Sequence, residues 1–259
     1  TGFIKAITTL KKTDNGDYFD IYNNAIGTNI EPGSTFKLIS LLIALEDSDI
    51  DISIHDTVDT GDGKMHYFDK IMRDTKKGGY GKITIKEIFA YSSNVGISKI
   101  ITENYNGREQ RFIERLNFIL NHEFMTDIKG ESPASFIDID HNLWSGITLP
   151  WMSIGYGIEM SPLQILTIYN AIANNGEMMQ PKLVKRIETN GFTNKDQIFN
   201  PNSLAVICSE KVANQLQELM RDVVLKGTAK EIKSDFVALS GKTGTTQINY
   251  VLKGQEKMK

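Results

Sequence analysis

The chain holds a single cysteine, Cys208, so no disulfide can form within it. A lone thiol leaves the redox compartment open, because many exported proteins also lack disulfides. Long apolar runs are missing too. The longest, Leu38 to Leu45, is broken by Ser40 and falls far short of the ~20 residues that a membrane helix needs. The opening Thr1-Gly2-Phe3-Ile4 lacks the pattern of a signal peptide and reads as a strand already under way. Neither sign of charge predominates: 29 Lys+Arg against 32 Asp+Glu leave a net charge of -3. Nucleic-acid and membrane-surface binding rely on concentrated positive charge, so neither is expected. The histidines, His55, His66, His122 and His141, are scattered without metal-ligand spacing, and no metal or cofactor is expected. Cys208 itself, at the end of Leu204-Ala-Val-Ile-Cys208, reads as a small buried residue.

What is present is ordinary for a folded globular chain: 40% hydrophobic and 24% charged residues over 259 positions, enough for one large domain or two small ones. The pattern is that of a soluble α/β domain. Residues 2–10 favour a strand through their β-branched content, and a polar stretch from Lys11 to Asn29 reads as loop. The apolar run 36–45 after Pro32-Gly33 predicts a buried helix starting near Ser34. Residues 49–83 show no sustained period and read as irregular. Thr84-Ile-Lys-Glu87 is a capping box, opening a helix that ends near Tyr91-Ser92, with a second helix from about Asn94 to Glu103. Phe112, Ile113, Leu116, Ile119 and Leu120 follow helical spacing within 109–121, and 122–150 reads as loop. Ser161-Pro-Leu-Gln164 opens another helix, which Gly176 closes. A strand is expected over 182–188, an amphipathic helix from Ser209 to Lys226, and a strand over 236–240. The charged tail from Lys253 reads as mobile.

Three short patterns carry chemistry. Ser34-Thr-Phe-Lys37 puts a hydroxyl and an amine on one helical face, with Cβ atoms about 5–6 Å apart. A serine is a weak nucleophile until a base takes its proton, and a lysine serves as that base only when burial or a nearby cation keeps it neutral. A helix start adds unspent backbone N–H groups able to hold an oxyanion. Alone this pattern is weak, since about one Ser-x-x-Lys arises by chance, and a helix cap followed by a surface lysine is then the better explanation. Ser92-Ser-Asn94 offers a second hydroxyl and a carboxamide, which turn and capping chemistry also uses. Lys242-Thr-Gly244, at the end of the last expected strand, is rarer by composition. Each pattern occurs once, in the order Ser-x-x-Lys, Ser-x-Asn, Lys-Thr-Gly. That trio is the signature of penicillin-binding proteins and serine β-lactamases.

Glu31-Pro-Gly-Ser-Thr-Phe-Lys37, Tyr91-Ser-Ser-Asn-Val-Gly96 and Ser240-Gly-Lys-Thr-Gly-Thr-Thr-Gln247 closely resemble the three motifs of class B penicillin-binding proteins. Residues 153–164, Ala173-Asn-Asn-Gly176 and Val223-Val-Leu-Lys-Gly-Thr-Ala229 resemble the text between the family's second and third motifs. The Gly-Tyr-Gly-Ile-Glu wording at 155–159 is closer to the septal, division-type members. The resemblance implies an α/β (α+β) fold of the serine β-lactamase kind, a central antiparallel sheet flanked by helices with an all-helical subdomain. It implies a peptidoglycan D,D-transpeptidase in which Ser34 attacks a stem peptide ending D-Ala-D-Ala, Lys37 takes its proton and Ser92 relays a proton to the leaving D-alanine. Asn94 would bind the substrate amide, and Thr243, Gly244 and Thr245 would hold the terminal carboxylate beside Lys242. The backbone N–H groups of Ser34 and Thr245 would form the oxyanion hole. β-Lactams should acylate the same serine.

Family members carry an N-terminal membrane anchor and a pedestal domain before the strand near Thr1, and two further sheet strands and a C-terminal helix after Lys-Thr-Gly. Residues 1–259 are therefore expected to be a transpeptidase domain truncated at both ends, lacking the anchor, the pedestal and the C-terminal strands. In the full-length protein it would lie at the extracytoplasmic, periplasmic face beside a membrane glycosyltransferase and other division proteins. Two alternatives stand: a D,D-carboxypeptidase or serine β-lactamase, in which water opens the acyl-enzyme, and a non-enzymatic β-lactam sensor. No Glu is placed as an obvious deacylating base, against the first. Sensor domains resemble enzymes whose second motif ends in Val, so Asn94 argues against the second. Trp144 and Trp151 read as structural support, with a substrate-groove role as the other option.

Overall fold

The computed structural model describes residues 1–121, 126–188 and 196–245. Its helices are α1 (Asn24–Gly27), α2 (Lys37–Glu46), α3 (Ile85–Ala90), α4 (Asn94–Tyr105), α5 (Glu109–Leu120), α6 (Thr148–Met152), α7 (Pro162–Ala173) and α8 (Glu210–Leu225). Both expected helix starts form. The Thr84 side chain accepts from the Glu87 amide while the Glu87 carboxylate accepts from the Thr84 amide, and Ser161 with Gln164 repeats this ahead of Pro162.

Helix α2 is the axis of the core. Every residue from Lys37 to Ala44 is buried, the pattern of a helix enclosed on all sides, and it packs against α4, α5 and α8. Each buried Leu or Ile on it stabilises the fold by about 1.5–3 kcal/mol relative to exposure. Helix α8 turns one apolar stripe inward, Val212, Leu216, Leu219, Met220 and Val223, and stops before Gly227. Helix α5 buries Phe112, Ile113, Leu116, Ile119 and Leu120, as its spacing predicts.

Strands are short, and among the described residues they form six antiparallel two-stranded pairs rather than one broad sheet. The strand expected over 2–10 is reduced to a bridge between Phe3 and Lys182. From 182–188 only Arg186–Ile187 pairs, with Gln197–Ile198. Residues 236–240 form no strand, with Phe236 98% exposed. β-Branched content favours extended backbone, but a ladder also needs a neighbour along its length to take its N–H and C=O groups, and among the described residues these segments have one for two or three residues at most. The reverse holds in 49–83. There Thr57–Asp59 pairs with Lys82–Thr84, and Lys64–Tyr67 forms a hairpin with Lys70–Arg73. Strands of three or four residues are too short to show a period of two in the sequence. The 122–150 stretch includes α6 and a pairing of Ser135–Phe136 with Ile158–Glu159. His122, Thr246, Gln247 and the tail from Lys253 lie outside the described residues.

Candidate active site

Ser34 sits in a single 3-10 turn, Gly33–Thr35, that runs into α2, so the expected helix start is right but its first turn is wound more tightly. Three contacts from other segments hold this turn. The Gly33 amide donates to Gly155 O at 3.1 Å, the Gly157 amide donates to the Glu31 carboxylate at 2.8 Å, and the Tyr169 hydroxyl on α7 donates to Thr35 O at 2.9 Å. Gly155 has a φ of +89°, and a Cβ there would lie 2.1 Å from Gly33 O. Both the backbone conformation and the close approach demand glycine. Gly155→Ala is therefore expected to destabilise the protein by about 3 kcal/mol, read as a lowered thermal unfolding midpoint. A midpoint matching the parent would contradict this bracing role.

Lys37 is fully buried, three residues further on. Its Nζ donates to Ser92 O at 2.7 Å, to Asn94 Oδ1 at 2.7 Å and to Ser92 Oγ at 3.2 Å. Lys242 Nζ donates to the same Ser92 Oγ at 2.8 Å and lies 5.6 Å from the centre of the Phe89 ring. One hydroxyl thus stands between two amines. Ser92 has a φ of +59°, the left-handed region that costs a non-glycine residue about 1–2 kcal/mol and persists only where its surroundings hold it. It joins α3 to α4, and Ser93 caps α4 by accepting from the Gly96 amide at 2.9 Å.

Burial pushes the Lys37 amine well below the ordinary lysine value, the Lys242 ammonium pushes it further, and the Asp74 carboxylate opposes both. Burial also lowers Lys242, to about 8. The contacts of Lys37 have a directional consequence. The Ser92 carbonyl only accepts, and Asn94 Oδ1 is fixed as the amide's acceptor end because Nδ2 donates to Arg73 O at 2.9 Å. Those two acceptors use two N–H bonds of a neutral amine. Its lone pair is then left facing the Ser92 hydroxyl, which suits proton exchange between the two groups.

The third segment reaches the site without a sheet. Arg221 donates to Leu239 O at 2.6 Å, and the Gly241 amide donates to Met220 O at 3.1 Å, which lays residues 239–243 along α8. Thr243 Oγ1 meets Thr228 Oγ1 at 2.6 Å, and the Thr228 amide donates to Ala90 O at 3.0 Å. Gly244 passes Thr35: a Cβ on it would lie 2.9 Å from Thr35 Cγ2. Thr245 follows as an exposed residue. Lys37, Ser92, Asn94 and Lys242 are joined by hydrogen bonds, with Ser34 on the adjoining turn and Thr243 and Gly244 alongside. The Ser34 hydroxyl itself makes no hydrogen bond among the described residues, because the Lys37 amine is directed toward α4. Asp74 and Thr228 complete the frame. Asp74 does not stand out in the sequence, because a strand and α3 separate it from Ser93, and Thr228 lies in the 223–229 stretch without a role assigned to it there.

The other residues weighed from sequence have structural surroundings. Trp151 stands edge-on to Tyr67, with centroids 6.0 Å apart, and Trp144 packs on the core. Cys208 is buried, which raises its thiol to about 11. Among the described residues no group of His, Cys, Asp and Glu is arranged to hold a metal ion, and no helix is long and apolar enough to cross a membrane.

The D,D-transpeptidase domain of a peptidoglycan glycosyltransferase from Eggerthella lenta superposes with a TM-score of 0.78 at 22% identity, over 89% of this chain and 57% of that one. The fold is therefore that of a transpeptidase domain. Residues 1–259 match the penicillin binding protein transpeptidase domain throughout, and the chain belongs to that family. It is 30% identical over 234 residues to penicillin-binding protein PbpB of Mycolicibacterium smegmatis, covering 87% of this chain and 34% of the relative. It is 27% identical over 277 residues to the peptidoglycan D,D-transpeptidase FtsI homolog of Mesostigma viride, covering 95% of this chain and 45% of the relative. The chain thus spans a third to just under half the length of these curated relatives.

Proposed function

We propose that the protein is a peptidoglycan D,D-transpeptidase working through a Ser34 acyl-enzyme. Ser34 Oγ bonds to the carbonyl carbon of the penultimate D-alanine, and the amide bond to the terminal D-alanine breaks. Lys37 takes the serine proton. A proton reaches the leaving amine through Ser92, which hydrogen-bonds both amines. The N–H groups of Ser34 and Thr245 stabilise the oxyanion, and Lys242 with Thr243, Gly244 and Thr245 binds the terminal carboxylate. Asn94 keeps one N–H for the substrate amide, because Arg73 O takes only one of the two. The amine of a neighbouring stem peptide then displaces the serine, forming the crosslink and returning the hydroxyl its proton.

The observation that carries this reading is the fully buried Lys37 amine, one turn beyond Ser34 and hydrogen-bonded to the same Ser92 hydroxyl that Lys242 reaches. Family membership and relatives named as transpeptidases support it. The division-type role, the extracytoplasmic membrane-anchored setting and a glycosyltransferase partner belong to the same proposal. The test is intact-mass measurement after exposure to benzylpenicillin. One added intact penicillin per chain, persisting for many minutes, is the expected result. Turnover without a lasting adduct would transfer the protein to the hydrolases, and no reaction at all would overturn the reading.

A further inference from the structure

The Ser92-Ser-Asn94 segment has a second clamp that lies outside all three sequence patterns. Asp74 follows the hairpin Lys64–Tyr67/Lys70–Arg73, and its amide donates to Gly63 O at 2.9 Å across the hairpin base. The hairpin is itself seated on α4, for Tyr67 donates to Ser98 Oγ at 3.0 Å and Met72 is buried. From that base the Asp74 carboxylate reaches the start of α4. Oδ1 accepts from the Val95 amide at 3.0 Å, and Ser93 Oγ donates to Oδ1 at 3.0 Å and to Oδ2 at 2.9 Å. The preceding residue contributes too, since Arg73 O takes one N–H of Asn94.

Of the unpartnered amides in the first turn of α4, Ser93 takes that of Gly96 and Asp74 takes that of Val95. The carboxylate goes further than a cap by also accepting from the Ser93 hydroxyl. It fixes Ser93 from outside, directly after the one residue of the segment held in the left-handed region, and it fixes Val95 directly after Asn94. A backbone conformation that costs free energy stays put only where neighbours over-determine it. Both chemically loaded positions, Ser92 and Asn94, lie beside residues that Asp74 grips.

We propose that Asp74 is a positioning residue for the acyl transfer, holding Ser92 and Asn94 on Lys37 through its carboxylate bridge to Ser93 and Val95. This rests on the transpeptidase reading of the site. Asp74 also acts through its charge, because it favours the ammonium form of Lys37 against burial and the Lys242 ammonium. Among the described residues the Tyr80 phenol also feels the carboxylate, and burial first and the Asp74 charge raise it above the ordinary tyrosine value. Removing the charge without the shape should thus leave Lys37 neutral at lower pH.

The rate of penicillin acylation against pH, with thermal unfolding alongside, tests this in the parent, Asp74→Asn and Asp74→Ala. An Asn oxygen at the Oδ1 position keeps the Val95 and Ser93 contacts. Asp74→Asn is expected to acylate well, with the acid limb of its profile displaced to lower pH. Asp74→Ala removes the same charge, so its acid limb should move likewise, and above that limb it is expected to lose about 100-fold in acylation rate. An alanine variant at the parental rate overturns the proposal, as does an asparagine variant whose acid limb has not moved. If the alanine variant fails to unfold cooperatively, the asparagine profile decides. A parent chain that never acylates refutes the transpeptidase reading instead, so the two failures are distinct.

Discussion

A Ser34→Ala chain gains no mass on exposure to benzylpenicillin, while its thermal unfolding midpoint stays within experimental error of the parent. The loss follows from the chemistry, because alanine offers no oxygen to form the acyl ester, and the acylation rate falls by at least about 10³-fold. The unchanged stability follows from the structure. The Ser34 hydroxyl makes no hydrogen bond among the described residues, so its removal leaves no buried partner unsatisfied. A surface-like change of this kind shifts stability by about 0.5 kcal/mol or less. A penicillin adduct on the alanine variant would place the nucleophile elsewhere. A collapsed midpoint would show that Ser34 carries the fold, contrary to its surroundings.

Lys37→Met is the second large effect. Loss of a positioned general base lowers acylation by about 10²–10⁴-fold, and the acid limb of the pH profile set by the lysine should disappear with it. The parent should acylate faster as pH rises through the depressed Lys37 value, since only the free amine accepts the serine proton. Stability changes in the same direction. Between that depressed value and the ordinary lysine value of 10.5 the unfolded chain binds more protons than the folded one, so the parent grows more stable as pH climbs. Lys242 adds a slope of the same size over the narrower range between about 8 and 10.5. The methionine variant keeps only the Lys242 share. Acylation rates and unfolding midpoints measured across that range check both, and a variant with the parental acid limb would show that another group is the base.

Local rules made much of this molecule legible. The capping boxes at Thr84 and Ser161 and the stripes of α5 and α8 state their structure within a few residues, and there the structure agrees. The three short patterns were legible as chemistry because each keeps a hydroxyl, amide or amine at fixed spacing. What stayed hidden depends on distant partners. Residues 2–10 and 236–240 have strand composition, but the first meets a partner only at Lys182 and the second forms no ladder among the described residues, whereas the hairpin over 64–73 pairs despite a polar, unperiodic text. Asp74 directly follows that hairpin, and nothing adjacent in sequence marks its reach to Ser93 and Val95. The left-handed backbone at Ser92 is equally silent, since serine rarely adopts it without tertiary support.

Helix α2, enclosed from Lys37 to Ala44, determines which part of the cleft can adapt. Amides so deeply packed open only when the whole molecule does, and they should be among the slowest to exchange with deuterated solvent. The serine proposed as nucleophile therefore sits on the turn that leads directly into this enclosed helix. Accommodation of a bulkier donor, or escape from a drug, has to come from the walls that α4 and the residue 239–244 segment provide, because the floor has nowhere to go.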